Sequence, residues 1–276
     1  MPSRHTPSRR PPSRRWADLA WTDFATLPAD TVAVLPLAAT EQHGPHLPLS
    51  VDTRINEGVL DAALARLPDD FPLLVLPAQA IGCSVEHGRF PGSLTGSPET
   101  LLALWTEIGR GVARAGVKRL VLLNTHGGNQ QIMEILARRL RIEAGLFAVA
   151  ANPGRMGNPP GLVGAEEDRF GIHAGFVETS LMLALEPAWV RMEQARDFRS
   201  AWVGLEAPLA PGSGAAPAWQ AQDLHPAGAV GDAAAATPEA GAAILDHCAT
   251  RLVSLLEAVR RCDIAAWLEQ TPEGLP

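Results

Sequence analysis

The sequence predicts an α/β fold, a three-layer sandwich in which a mostly parallel central sheet is flanked by helices. Two observations carry this. Four short, continuous apolar runs (31–38, 71–76, 118–124 and 146–151) read as strands buried on both faces. Segments of helical period lie between them, and strands alternating with helices imply right-handed crossovers and a parallel sheet.

Taken in order, 16–27 is a short amphipathic entry segment, and Thr31–Ala38 is the first strand. A ligand-rich loop follows. Asp52 stands where an N-cap would, ahead of a helix over Thr53–Leu67 whose Ile55, Val59, Leu60, Ala63 and Leu64 share one face. Phe71–Leu76 is the second strand, and 78–96 is a long loop. Ser97-Pro98-Glu99 supplies an N-cap with proline at the first helical position, opening a helix to about Arg114. Lys118–Asn124 is the third strand, followed by Thr125-His126-Gly127-Gly128-Asn129 and a helix to about Arg141. Leu146–Ala151 is the fourth strand. From 152 to 170 the pattern dissolves into a Pro-, Gly- and Glu-rich loop, and Gly175–Leu185 resumes as helix. The Ala-, Gly- and Pro-rich stretch 204–236 is expected to be a long loop or flap. Thr237-Pro238-Glu239 caps a last helix to about Arg261.

Composition narrows the function classes. At 276 residues, 46% hydrophobic and 19% charged, the chain can bury a substantial core. No apolar run reaches the roughly 18 residues a membrane span requires. The net charge is −7, but residues 1–15 hold five arginines and no acid, so the remainder carries −12. Such a body is poorly suited to neutralising nucleic-acid phosphates. Residues 1–15 are expected to form a disordered basic arm and 16–276 a single domain. Cys83, Cys248 and Cys262 form no CxxC pair, which fits a reducing, cytoplasmic setting and argues against a thiolate metal site.

Chemistry concentrates in three places. Glu41-Gln42-His43-Gly44-Pro45-His46-Leu47-Pro48-Leu49-Ser50-Val51-Asp52 sets two carboxylates and two imidazoles on the loop after a strand, where open α/β sheets place their sites. His126 directly follows a buried strand and precedes two glycines that permit a sharp turn. His173 precedes a helix start, with Glu178 in its expected first turn. An acid there can simply complement the helix dipole; convergence with two other His/acid loops favours a metal site. Gly127-Gly128 as a phosphate cradle lacks a Walker lysine and GxGxxG spacing, no GxSxG elbow exists, and Cys83 near His87 reads as an inert buried thiol.

Thr40–Leu49 with Asp52, Asn124–Asn129, and His173-Ala174-Gly175 with Glu178-Thr179-Ser180 resemble the creatininase (creatinine amidohydrolase) family, as does Glu86-His87 with Phe90-Pro91-Gly92-Ser93. The resemblance spans about residues 30 to 260. It implies a three-layer α/β fold, a homo-oligomer (often a hexamer) and a two-metal site. Glu41 and His126 would bind one metal, His43 the other, and Asp52 both. Creatininase proper takes a further ligand from a glutamate two positions after its equivalent of His126. Here that position is Gly128, and Glu178 would replace it and join His173, the acid/base histidine, as a catalytic group. His46 and Gln42 would orient ligands. Two His, one Asp and two Glu suit Zn²⁺ first, with Mn²⁺ or Fe²⁺ as alternatives. The expected activity is hydrolysis of a C–N bond in a small amide or lactam by a metal-bridging hydroxide. The alternatives are a metallopeptidase removing a short C-terminal peptide from a mycofactocin-type precursor, and a non-catalytic metal-binding protein.

Overall fold

The computed structural model describes residues 11–206, 209, 215 and 217–268. Its elements are β1 (Val32–Leu37), α1 (Val51–Leu64), β2 (Leu73–Val75), α2 (Pro98–Arg114), β3 (Arg119–Asn124), α3 (Gln130–Ala144), β4 (Phe147–Ala151), α4 (Ala165–Phe170), α5 (Phe176–Leu185), β5 (Asp197–Phe198), α6 (Ala221–Leu224), β6 (Gly231–Asp232), α7 (Pro238–Arg261) and α8 (Ile264–Leu268). The main sheet has the order β2-β1-β3-β4, all parallel, with Val32 opposite both Leu73 and Arg119 and Arg119 opposite Phe147.

Because a strand alternates its side chains between faces, β1 and β3 feed two separate cores. Val32, Val34, Val121 and Leu123 pack against α1, α5 and α7. Ala33, Leu35, Leu37, Leu120 and Leu122 pack against α2 and α3 around the fully buried Trp105. This is the expected three-layer arrangement. The chain leaves β1 toward β2 on one side and β3 on the other, so a crevice opens at the C-terminal ends of β1 and β3.

The expected caps of α2 and α7 are present. Ser97 and Thr237 accept hydrogen bonds from the amides of Thr100 and Ala240, with proline at the first helical position of each. The reading of Asp52 as an N-cap is corrected. Ser50 occupies that position and α1 begins at Val51, which carries Asp52 inside the first turn with its carboxylate buried. A carboxylate in a first turn satisfies the same sequence signal.

The region 152–170 is not loop throughout: it contains α4, which lacks a side-chain cap of its own. Within 204–236, α6 and β6 interrupt the expected loop, and β6 pairs antiparallel with β5; residues 207, 208, 210–214 and 216 lie outside the described residues. Of the expected arm, residues 1–10 also lie outside them. At its described end, the Arg14 carbonyl accepts from the Val75 amide at 2.7 Å and Arg14 Nη1 donates to the Leu64 carbonyl at 2.9 Å. The arm thus ends by pairing with the free edge of β2. Among the described residues no helix is long and apolar enough to cross a membrane.

Helix α5 matters most for the site, and α7 holds it in place through a close backbone approach. A Cβ added at Gly241 would stand 1.8 Å from the Ser180 carbonyl oxygen. Gly241→Ala should therefore separate α5 from α7 and lower stability by about 1–3 kcal/mol. Chemical denaturation measures this, and an unchanged midpoint would mean that the two helices can part without cost.

Candidate metal centre

Four segments deliver the site. Glu41 and His43 follow β1, His126 follows β3, Asp52 comes from the first turn of α1, and His173 and Glu178 flank the start of α5. Side-chain amides fasten these strand ends. Asn56 Nδ2 donates to the carbonyls of Leu37 (3.2 Å) and Leu123 (2.9 Å), bridging the ends of β1 and β3. Asn129 Nδ2 donates to the Ala38 carbonyl at 3.1 Å, while its Oδ1 accepts from the Cys83 amide at 2.9 Å. Thr125 Oγ1 donates to the Asp52 carbonyl at 2.8 Å. Gly44 takes a left-handed φ of 69° that turns the loop back toward the sheet.

The ligand geometry follows from two backbone carbonyls. His43 Nδ1 donates to the Glu41 carbonyl at 3.0 Å, so its Nε2 faces inward. That Nε2 lies 3.6 Å from Asp52 Oδ1 and 3.8 Å from Glu178 Oε2. His126 Nε2 donates to the Cys83 carbonyl at 2.7 Å, which turns Nδ1 inward to 3.2 Å from Glu41 Oε1 and 3.4 Å from Asp52 Oδ2. In its neutral form each imidazole would therefore aim a lone pair at carboxylate oxygens. That contact is repulsive unless a cation stands between them.

The electrostatics register the same demand for positive charge. Burial disfavours the imidazolium of His43, but Asp52, Glu178 and Glu41 outweigh it and push His43 up to about 9. Burial opposes the charge on His126 too, yet Glu41 and Asp52 hold it well above the ordinary imidazole value. Burial works against ionising Asp52, but His43 and His126 keep it well below the usual carboxylate range. Glu178 is pushed up to about 7, first by burial and then by Asp52, with His43 opposing. His173 lies well below its ordinary value because of burial and the neighbouring His43.

The residues fit metal ions. Glu41 Oε2, His43 Nε2 and Asp52 Oδ2 are buried without a hydrogen-bond partner among the described residues, and leaving such atoms unpaired is costly. Glu41, Asp52 and His126 offer ligand atoms within 4.8 Å of one another, as do His43, Asp52 and Glu178. The two groups share Asp52, so the arrangement suits two cations bridged by one carboxylate. A third group, Glu41, His43 and His173, lies within the same reach.

All six residues singled out on sequence thus converge: Glu41, His43, Asp52, His126, His173 and Glu178. Glu178 points inward even though its Oε2 also accepts from the Ala174 amide at 2.5 Å. His173 donates Nε2–H to the Gln42 carbonyl at 2.8 Å, leaving Nδ1 free 3.7 Å from Glu41 Oε1. His46 stands back, with its Nε2 2.9 Å from Thr179 Oγ1 beside Glu178.

His87 received no role on sequence, although it lay in a recognised block. Its Nε2 lies 3.4 Å from Glu41 Oε1, and its ring packs on that of His173 with centroids 4.4 Å apart. Gln42 fixes its tautomer. Gln42 Oε1 accepts from the Gly44 amide (2.9 Å) and Nε2 donates to the Gly228 carbonyl (3.0 Å), so the amide nitrogen also donates to His87 Nδ1 (2.7 Å). His87 Nε2–H is then directed at Glu41, the orienting role expected of a group behind a ligand. Burial and His173 lower His87 to about 3, so it stays neutral.

The glycine at 128 also has a local cause. A Cβ there would stand 2.1 Å from the Cys83 carbonyl oxygen, the same oxygen that orients His126, and 2.7 Å from Glu86 Oε1. A glutamate cannot enter without moving the 83–87 loop.

Two outcomes are expected. Asp52→Ala should remove both metal ions, read as metal content of the purified protein, because each group loses its shared carboxylate; full retention would refute the bridging arrangement. Binding should also release protons at pH 7 and strengthen as pH rises toward about 9, since metal-free His43 carries a proton that the metal must displace. Calorimetry in buffers of different ionisation enthalpy measures this, and buffer-independent heats would contradict it.

Comparisons with known proteins place the chain in a family. A family model described as creatinine amidohydrolase matches residues 17–256. The mycofactocin precursor peptide peptidase of Mycobacterium tuberculosis is 37% identical over 255 residues, 88% of this chain and 87% of that protein. A creatinine amidohydrolase of Pseudomonas putida is 31% identical over 189 residues, 61% of this chain and 69% of that protein. Among solved structures, a creatininase variant described as the Zn–Zn type superposes with a TM-score of 0.71 at 26% identity, covering 94% of this chain and 99% of that one. On this sequence match and fold, the chain belongs to the creatininase family of hydrolases.

Proposed function

We propose that the protein is a metal-dependent peptidase that cleaves a C–N bond near the C-terminus of a mycofactocin-type precursor peptide. The observation that carries this reading is the 37% identity to such a peptidase, sustained over 88% of the chain. Gly128 supports it against creatinine as substrate, because the 83–87 loop fills the place of creatininase's further glutamate.

The donor set is the one such hydrolysis needs. Glu41 and His126 would hold one divalent ion, His43 and Glu178 the other, and Asp52 would contribute to both, with Zn²⁺ as the first choice and Mn²⁺ as the alternative. When bound, the pair polarises the scissile carbonyl and lowers the pKa of water to near neutrality. His173 moves the proton: its Nδ1 faces the carboxylates, and burial beside His43 lowers its pKa and keeps the ring neutral with that lone pair available. Once charged in that buried position, it readily gives the proton up to the departing nitrogen. Its Nε2–H bond to the Gln42 carbonyl holds the ring in this orientation throughout.

Incubation with a mycofactocin-type precursor peptide, read by mass spectrometry, should show loss of a short C-terminal piece, while creatinine and formamide stay intact. Turnover of a small amide with an untouched peptide would overturn the reading. His173→Asn should lower kcat by about 10²- to 10⁴-fold while metal content stays at the parent level. A loss of metal instead would make His173 a ligand, which its place in the group with Glu41 and His43 would also allow.

A further inference from the structure

Glu167, outside the metal cluster, holds together the backbone that carries His173 and Glu178. Helix α5 has no side-chain cap of its own, because its N-cap is Gly175. Glu167, from α4, supplies the acceptor: its Oε1 takes the Phe176 amide at 2.7 Å and its Oε2 takes the Asp232 amide of β6 at 2.8 Å. One carboxylate thus ties the first residue of α5 to β6. That strand end is also joined to His173, whose carbonyl accepts from the Val230 amide at 2.7 Å.

The backbone around this carboxylate carries glycines where any side chain would collide with it. A Cβ at Gly171, Gly175 or Gly231 would stand 2.2, 2.4 or 2.6 Å from a Glu167 carboxyl atom. Three glycines, two from the connection between α4 and α5 and one from β6, therefore close around one side chain. The backbone held between them is unusual, since Ala174 takes a left-handed φ of 55° that a side-chain-bearing residue rarely adopts. In that conformation the Ala174 amide meets Glu178 Oε2, the carboxylate facing His43. Strain of this kind persists only where the surroundings over-determine it.

We propose that Glu167 is a positioning residue for the metal centre, holding the 173–178 segment so that Glu178 completes the site it shares with His43 and Asp52. Glu167 touches no ligand and acts through the backbone. The proposal rests on the two-metal reading given above, and it is specific to one of the two groups. Glu41 and His126 are delivered by other strand ends, so their site does not depend on it.

The test titrates Zn²⁺ alone into metal-free full-length protein by calorimetry, comparing the parent chain with Glu167→Gln, Gly175→Ala and the exposed neighbour Glu166→Gln. Glu178→Ala identifies which binding step belongs to the His43–Asp52–Glu178 group. Glu167→Gln and Gly175→Ala should each weaken that step by about 10- to 100-fold and leave the other step within twofold. Glu166→Gln should change neither. Hydrogen exchange at the Ala174 and Phe176 amides, which requires no metal, should rise in both variants. Two unchanged steps with unchanged exchange, or equal weakening of both steps, would overturn the positioning role. A parent chain that binds a single ion would defeat the two-metal reading, and the exchange measurement would then decide for or against Glu167 by itself.

Discussion

The structure is organised around the cost of burying carboxylates. Glu41 and Asp52 are withdrawn from water almost completely, and Glu178 lies beside them. A buried carboxylate is tolerated only when charge or hydrogen bonds compensate it. The available hydrogen bonds run the other way: backbone carbonyls take the N–H of both His43 and His126 and leave lone pairs facing the oxygens. Protons on the two imidazoles relieve this in the metal-free protein, and divalent ions would relieve it more completely. The raised pKa values of His43 and His126 and the orphaned oxygens of Glu41 and Asp52 are two expressions of one shortage of positive charge.

The fold assembles this cluster inexpensively because parallel strands end at the same side of a sheet. With the order β2-β1-β3-β4, the loops after β1 and β3 are neighbours though more than eighty residues separate them in sequence. Asn56 and Asn129 then pin those loops by their carbonyls, so Glu41 and His126 are presented by fixed backbone. The contribution of α5 is different in kind. It arrives from beyond the sheet, and a strained turn at Ala174, its packing on α7 and the carboxylate of Glu167 must locate it.

What could be read in the amino-acid order follows this division. The strands were legible as continuous apolar runs, and α2 and α7 were bounded by Ser97-Pro98 and Thr237-Pro238, local signals with local causes. The six residues of the cluster were legible because His and acid recur at strand ends, and the family blocks assigned them roles. Asp52 was misplaced as a cap because an acid at a helix start satisfies two physical demands, and only its burial separates them. His87 was given no role because that role passes through Gln42 to a carbonyl at Gly228, a contact that no local pattern encodes. Helix α4 escaped notice because it is short and uncapped, and Glu167 because its partners lie nine and 65 residues away.

The central claim is that Asp52 joins two metal ions in one buried cluster, and anomalous diffraction from crystals of the Zn²⁺-loaded protein tests it most directly. The account predicts two peaks less than about 4 Å apart. Each should lie within about 2.0–2.2 Å of an Asp52 carboxylate oxygen, one also beside Glu41 and His126 and the other beside His43 and Glu178. A single peak, or two peaks with Asp52 bound to neither or only one, would contradict it.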